Sequence, residues 1–196
     1  HTWNPYNRRG NRENQAFVDL NDRVLASNGG AWDKPPGSVR WGEEELDCAR
    51  RLLAVEASAE VFAFKDPRTL LVIDGWKQVF PRMEFIGIFR HPDAVAASLG
   101  SRSRMERQAS MALWQRYNRL LLAQYKQGSF PILCFDEPEE VFHVKLENTL
   151  AGMQLGPLPD ESRFWDESLR TSNQAEKKRL PVRVALLYRK LLAVSV

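Results

Sequence analysis

Hydrophobic positions recur at helical spacing through most of the chain, broken by three short apolar runs. In residues 13–27, Phe17, Leu20, Val24 and Leu25 fall on one face of a helix that Asn28-Gly29-Gly30 ends. The following WDKPPG stretch, residues 32–37, reads as a loop held by its prolines. Residues 41–57 predict a second helix, with Leu46, Ala49, Leu52 and Leu53 as its apolar stripe. Residues 61–64, VFAF, form a short apolar run that reads as a strand and stops at Lys65-Asp66-Pro67-Arg68. Residues 69–80 predict a helix that ends before Pro81. The FIGIF run, residues 85–89, is a second strand, and its unbroken apolar character predicts burial on both faces.

Beyond it the pattern returns to helix. Residues 92–101 open with Pro92, a residue suited to a first helical turn. Residues 109–127 predict a strongly amphipathic helix closed by Gly128, and residues 131–135, PILCF, a third strand. A helix starts at Asp136-Glu137-Pro138 and runs to about Met153, and residues 155–163 read as loop. The last helix, residues 174–194, contains Pro181, which predicts a kink or a division into two. The polar opening, residues 1–11, reads as loop.

Strands alternating with helices predict right-handed crossovers and an α/β fold, a three-layer parallel sheet flanked by helices. In such a sheet functional residues stand at the carboxyl ends of the strands. Lys65, Arg68 and Arg90 all fall at such ends. Three strands are few for this architecture. With 196 residues, the expectation is a single domain over residues 1–196. The chain starts at His1 rather than Met, which suggests a fragment or a processed form.

Composition narrows the class. Hydrophobic residues make up 43% and charged residues 27% of the chain, as in soluble globular proteins. No apolar run approaches the ~20 residues of a membrane span, and no signal peptide pattern is seen, so a cytoplasmic location is expected. Cys48 and Cys134 read as two buried free thiols, and the three histidines make no ligand spacing, so no metal site is expected. The net charge of +3 is unevenly spread. Residues 76–128 hold nine Lys/Arg against three Asp/Glu, a net of +6, whereas residues 136–167 hold nine Asp/Glu against two Lys/Arg, a net of −7. Without aromatic interleaving or a groove-reading motif, the basic middle points to a small anion rather than nucleic acid.

The candidate residues follow from that anion. Arg90 closes the FIGIF run, and Ser98 lies eight positions later in the small-residue helix. A guanidinium at a strand end can hold a phosphate through two hydrogen bonds, and a serine hydroxyl can add a third. The same pair also fits an arginine bridging a loop and a serine packed on a helix. Lys65 and Arg68 bracket a turn, and an ammonium there can meet charge developing in a transfer reaction. Equally, the turn can be solvated, with Asp66 capping the helix that follows. Arg102, Arg104 and Arg107 can close over a nucleotide phosphate or form a solvated face. Glu13 can act as a general base or serve the helix start electrostatically. Trp32, Trp41, Trp76, Trp114 and Trp165 suit packing better than a binding cage.

Taken together, these segments resemble the sulfotransferases that use 3′-phosphoadenosine 5′-phosphosulfate (PAPS), in particular the bacterial branch. GNRENQAFVDLNDRVLASNGGAWDKPP, residues 10–36, is similar to that family's G-aromatic-x-E-N and DLND-x-L region. FKDPR is similar to its strand-end lysine motif, and PILCFDEPEEVF to its later strand with the loop acid. FIGIFRHPDAVAASL resembles its 3′-phosphate motif, in which an arginine and a serine eight positions later hold that phosphate, and Arg90 and Ser98 keep the spacing. The resemblance implies a P-loop NTPase-like sulfotransferase fold and metal-free transfer of a sulfuryl group from PAPS to a hydroxyl or amine of a small-molecule or glycan acceptor. Lys65 would stabilise the transferring group. Arg90 and Ser98, with Arg68 and Arg102, would bind the nucleotide.

Two departures shape the expectation. The family opens with a strand and an R/K-S-G-T loop that grips the 5′-phosphosulfate, and no segment of this chain matches it. The chain is therefore expected to be an N-terminally incomplete member, with weak or no transferase activity by itself. In cytosolic relatives a histidine two positions after the lysine takes the acceptor proton, and Pro67 stands there instead. Other branches use a carboxylate near the segment of Glu13, so Glu13 is favoured as base with Asp66 as the alternative. Two other readings compete with an active transferase. A non-catalytic nucleotide-binding remnant is one. A P-loop-type kinase relative is the other, and it would need a Gly-Lys-[Ser/Thr] loop and a magnesium-binding acid that the sequence does not display.

Overall fold

The computed structural model describes residues 13–156 and 179–196. The chain divides into two compact units, His1–Met83 and Glu84–Val196. The expected loops at residues 1–11 and 157–163, the Gln174–Lys178 start of the last helix and Trp165 lie outside the described residues.

Helices α1 (Gln15–Ser27), α2 (Glu43–Val55) and α3 (Ile73–Val79) build the first unit. Asn14 caps α1, its Oδ1 accepting the Ala16 N–H at 3.1 Å. At the other end Gly29 takes φ +72°, a left-handed turn that glycine adopts freely. Three glutamates, Glu43, Glu44 and Glu45, fill the first turn of α2, where the helix dipole favours them. The core gathers Phe17, Leu20, Val24 and Leu25 from α1 with Ala49 and Trp76. Its centre is aromatic: Phe17 lies 4.3 Å from Phe64 and 5.3 Å from Trp76 between ring centroids, and Trp41 meets Trp76 edge-on at 5.4 Å. Gly75 is required here, because a Cβ at that position would lie 2.1 Å from the Trp41 ring.

Two sequence expectations change in this unit. Residues 61–64 do not form a strand. Phe62 and Phe64 are half-buried while Ala63 and Lys65 are exposed, the alternation of an extended chain, but no ladder to a neighbouring strand forms among the described residues. The two rings pack on Phe17 of a helix instead. The helix expected over residues 69–80 is two pieces, a 3₁₀ turn at Pro67–Leu71 and then α3. Val72 bends between them at φ −118°, and the Trp41 indole N–H donates to its carbonyl at 3.0 Å.

The second unit holds β1 (Gly87–Phe89), α4 (Pro92–Ser103), α5 (Arg107–Gly128), β2 (Ile132–Cys134), α6 (Glu139–Gly152) and α7 (Val182–Leu192). The two strands pair in parallel, with Gly87, Ile88 and Phe89 opposite Ile132, Leu133 and Cys134. The chain is thus α/β and mostly helical, with a two-stranded parallel sheet among the described residues. Helix α4 packs on α5, α5 on α7, and α6 on β2. β2 is buried throughout, as its apolar sequence predicts. β1 is not: Ile88 is 51% exposed, because nothing described covers the face opposite Phe89. The expectation of burial on both faces therefore fails for β1. Arg104, at φ +54°, turns the chain from α4 into α5. Pro181 stands at the start of α7 rather than inside it, and residues 174–178, where the last helix was expected to begin, lie outside the described residues. Both cysteines are free, Cys134 buried as expected and Cys48 only half-buried. No helix among the described residues is long and apolar enough to cross a membrane.

Candidate functional site

The candidate residues fall in both units: Glu13, Lys65, Asp66 and Arg68 gather in the first, while Arg90, Ser98 and Arg102 are spread along the β1–α4 segment of the second. In the first, the turn after Phe64 carries Lys65, Asp66 and Arg68. Lys65 is exposed, and its Nζ donates to Glu13 Oε1 at 2.7 Å. Glu13, just ahead of α1, also has its Oε2 4.0 Å from Arg68 Nη1. The proposed base and the proposed transfer cation are thus brought together. They can hand charge between them, since a proton accepted by Glu13 would release Lys65 to another anion.

Asp66 stands differently. Its side chain is 1% exposed, and Oδ1 accepts the Arg68 backbone N–H at 3.1 Å, capping the 3₁₀ turn, and Arg68 Nη1 at 2.9 Å. Oδ2 accepts Asn21 Nδ2 at 2.8 Å. Both oxygens are committed to holding the turn, which suits anchoring rather than proton abstraction from a substrate. Arg68 is similarly committed, donating from Nε to Asp22 at 2.7 Å as well as to Asp66. Burial alone would lower its pKa, but Asp66 and Asp22 outweigh that, and it is raised. Its guanidinium is ringed by carboxylates, so it fits a phosphate poorly compared with Arg90.

Asn21 is the residue that the candidate set lacks. It is 0% exposed, and its Nδ2 donates to Asp66 and, at 3.2 Å, to Thr69, while its Oδ1 accepts the Trp76 indole N–H at 2.8 Å. One amide so ties α1 to the lysine turn and to α3. The signal was in the helical spacing: Asn21 shares the face of Phe17, Leu20, Val24 and Leu25. A polar residue on an apolar face implies a buried hydrogen-bond network.

In the second unit, Arg90 follows β1 and precedes α4 by two residues. Its guanidinium lies over the Phe135 ring at 4.8 Å, and its Nε is 3.7 Å from Asp136 Oδ1. Asp136 follows β2, so both groups stand at the carboxyl edge of the parallel pair. The other Asp136 oxygen accepts the His91 backbone N–H. The Arg90 carbonyl accepts the Trp114 indole N–H at 2.9 Å, so α5 also fixes this turn. His91 caps α4, its Nδ1 accepting the Asp93 N–H at 3.2 Å. Asp136 was legible only as an acid in a loop; its pairing with Arg90 needed the strand register.

Ser98 is half-buried on α4. Its carbonyl is met by Ser101 Oγ at 3.5 Å, and no described residue bonds its hydroxyl. Arg102 is exposed in the last turn of α4. Arg107 is drawn away from the basic run by Asp93, 2.7 Å from its Nη2. That pair neutralises the one carboxylate in the first turn of α4. Arg90 and the Ser98 hydroxyl are the groups of this segment that could donate to a phosphate, while the His91 and Asp93 N–H groups already donate to Asp136 and to His91 Nδ1. No protein-family model, no curated protein and no solved structure matches the chain.

Proposed function

We propose that this chain is a PAPS-dependent sulfotransferase of the bacterial branch, moving a sulfuryl group to a hydroxyl or amine of a small-molecule or glycan acceptor. One observation carries the reading. Arg90 stands at the carboxyl end of a parallel strand, held over Phe135, with the α4 start directly after it and Ser98 on that helix. Parallel strands that lead into helices bind phosphates at this edge. The reading extends to the fold, in which β1, α4, α5 and β2 would be one crossover of a three-layer, P-loop NTPase-like sheet.

In this account Arg90 and Ser98 hold the 3′-phosphate, and Arg102 adds positive charge nearby. Arg68 serves the nucleotide only through the turn it braces, because Asp22 and Asp66 already occupy it. Glu13 takes the proton of the acceptor hydroxyl or amine. The acceptor oxygen or nitrogen forms a bond to sulfur as the bond from sulfur to the phosphosulfate bridging oxygen breaks. Lys65, freed when Glu13 is protonated, meets the charge on the sulfuryl and leaving oxygens. The products are the sulfated acceptor and 3′-phosphoadenosine 5′-phosphate. The reaction belongs to the family that the sequence resembles, and the Glu13–Lys65 pair supports the roles given to those two residues.

A second reading is favoured by the carboxylates facing Lys65, Arg68 and Arg90: a non-catalytic protein that binds the nucleotide without transferring sulfate. Calorimetry with 3′-phosphoadenosine 5′-phosphate tests the binding that both readings share. Even weak transfer of labelled sulfate from PAPS to a panel of phenol, amine and oligosaccharide acceptors, lost in Lys65→Ala and Glu13→Gln, would favour the transferase, whereas nucleotide binding with no transfer would favour the second reading.

A further inference from the structure

A groove of about 420 Å³ runs between α5 and α7, lined by residues other than the candidate site residues. Its walls repeat one pattern. On α5, Arg119 and Lys126 flank Leu122 and Ala123; on α7, Arg183 and Lys190 flank Leu186 and Leu187. The spacing on each helix is i, i+3, i+4 and i+7, so all four residues share a face, with the cations about 10 Å apart along the axis. Leu122 and Leu187 close the seam between the helices, 8% and 7% exposed, while Leu186 remains 51% exposed. Val182, one turn before Leu186, is 69% exposed. None of the four cations has an acidic partner among the described residues. Among the described residues, four like charges repel one another around an apolar floor on which Leu186 stays exposed. Both costs are relieved by a ligand that brings carboxylates and apolar side chains together.

We propose that the α5–α7 groove docks an acidic amphipathic helix of a partner protein. Such a helix presents Leu-like residues to the floor and carboxylates seven positions apart to the two cation pairs, the helix-in-groove mode of recognition. The charge complementarity sets the partner's sign, and the apolar floor sets its amphipathic character. A nucleic acid has no use for an exposed Leu186 and Val182. A flat anionic membrane does not enter a concavity. The proposal does not depend on the transferase reading.

The test uses the whole chain and a fluorescein-labelled, alanine-based helical peptide in which two glutamates seven positions apart bracket a leucine pair. Fluorescence anisotropy should give saturable binding, weakened about tenfold or more when the glutamates become glutamine or the protein carries Arg183→Glu with Lys190→Glu. Leu186→Asn should weaken it as well, with unchanged circular dichroism in both variants because the altered side chains are exposed. No saturable binding overturns the proposal. So does equal binding of a scrambled peptide of the same composition, or indifference to Leu186→Asn, since either shows charge attraction alone. Tighter, Arg183- and Lys190-dependent binding to phosphatidylserine vesicles or to a short DNA duplex also overturns it, assigning the groove to a membrane or a nucleic acid.

Discussion

Lys65 Nζ lies 2.7 Å from Glu13 Oε1, although 51 residues separate the two in the chain interior between them. The lysine is 63% exposed and the glutamate 15%, so the pair sits at the surface with its acidic half turned inward. A pair of this kind is weak and exchangeable. Next to it, Asp66 and Arg68 make a tight, buried cluster. Two neighbouring ion pairs thus differ in kind, one exposed and exchangeable and one holding the backbone of the turn.

The contrast is measurable by urea denaturation. Lys65→Ala should cost less than about 1 kcal/mol. Asp66→Ala should cost about 2–4 kcal/mol, because it strips acceptors from buried Asn21 and Arg68. Equal losses would contradict the division of roles.

Asn21→Leu keeps an apolar side chain on the α1 face but leaves Asp66 and the Trp76 indole N–H without their partner. The expected loss is about 2–3 kcal/mol despite the gain in hydrophobicity. A neutral or stabilised variant in the same denaturation series would show that this network contributes nothing net.

The two thiols should react in order. Cys134 is 3% exposed, and burial raises its pKa, with the charges of Asp136 and Glu137 adding to the effect. Thiolate is therefore scarce at Cys134 in the folded chain. An aromatic disulfide reagent near neutral pH should consume half-buried Cys48 first and Cys134 only on unfolding or local opening. Simultaneous reaction of both thiols in the folded protein would contradict this.

Tyr188 gives an alkaline signature. Burial first, then Cys134 and Asp136, pushes its pKa from 10.0 up to about 12. The folded state favours the neutral phenol, so the stability it contributes is fully present below pH 10 and is lost as pH rises through about 12. Tyr188→Phe, which removes the titrating group, should show a shallower loss of stability over that window. An identical pH profile for the two proteins would contradict the assignment.

The helices were legible because their signals are local. Asn28 and Gly29 end α1, Pro92 opens α4, and the expected stripe of α1 is its buried face, although Leu52 and Leu53 of the α2 stripe are only half-buried. The strands were legible only in part: FIGIF and PILCF hold β1 and β2, but VFAF does not pair, because strand identity depends on a distant partner. VFAF and FIGIF read alike, yet only FIGIF meets another strand, and Phe62 and Phe64 spend their apolar surface on a helix. The candidate site divides in the same way. Arg90, Ser98 and Lys65 could be named from position. That Asp136 faces Arg90, that Glu13 meets Lys65 and that Asn21 secures the lysine turn are long-range facts, and residue type alone does not contain them.

The most direct test of the central claim is isothermal titration calorimetry of the chain with 3′-phosphoadenosine 5′-phosphate and with 5′-AMP. If Arg90 and Ser98 hold the 3′-phosphate, the bisphosphate binds about tenfold or more tighter, and Arg90→Ala and Ser98→Ala narrow that gap. Equal affinity for the two nucleotides, or a preference that survives Arg90→Ala, would contradict it.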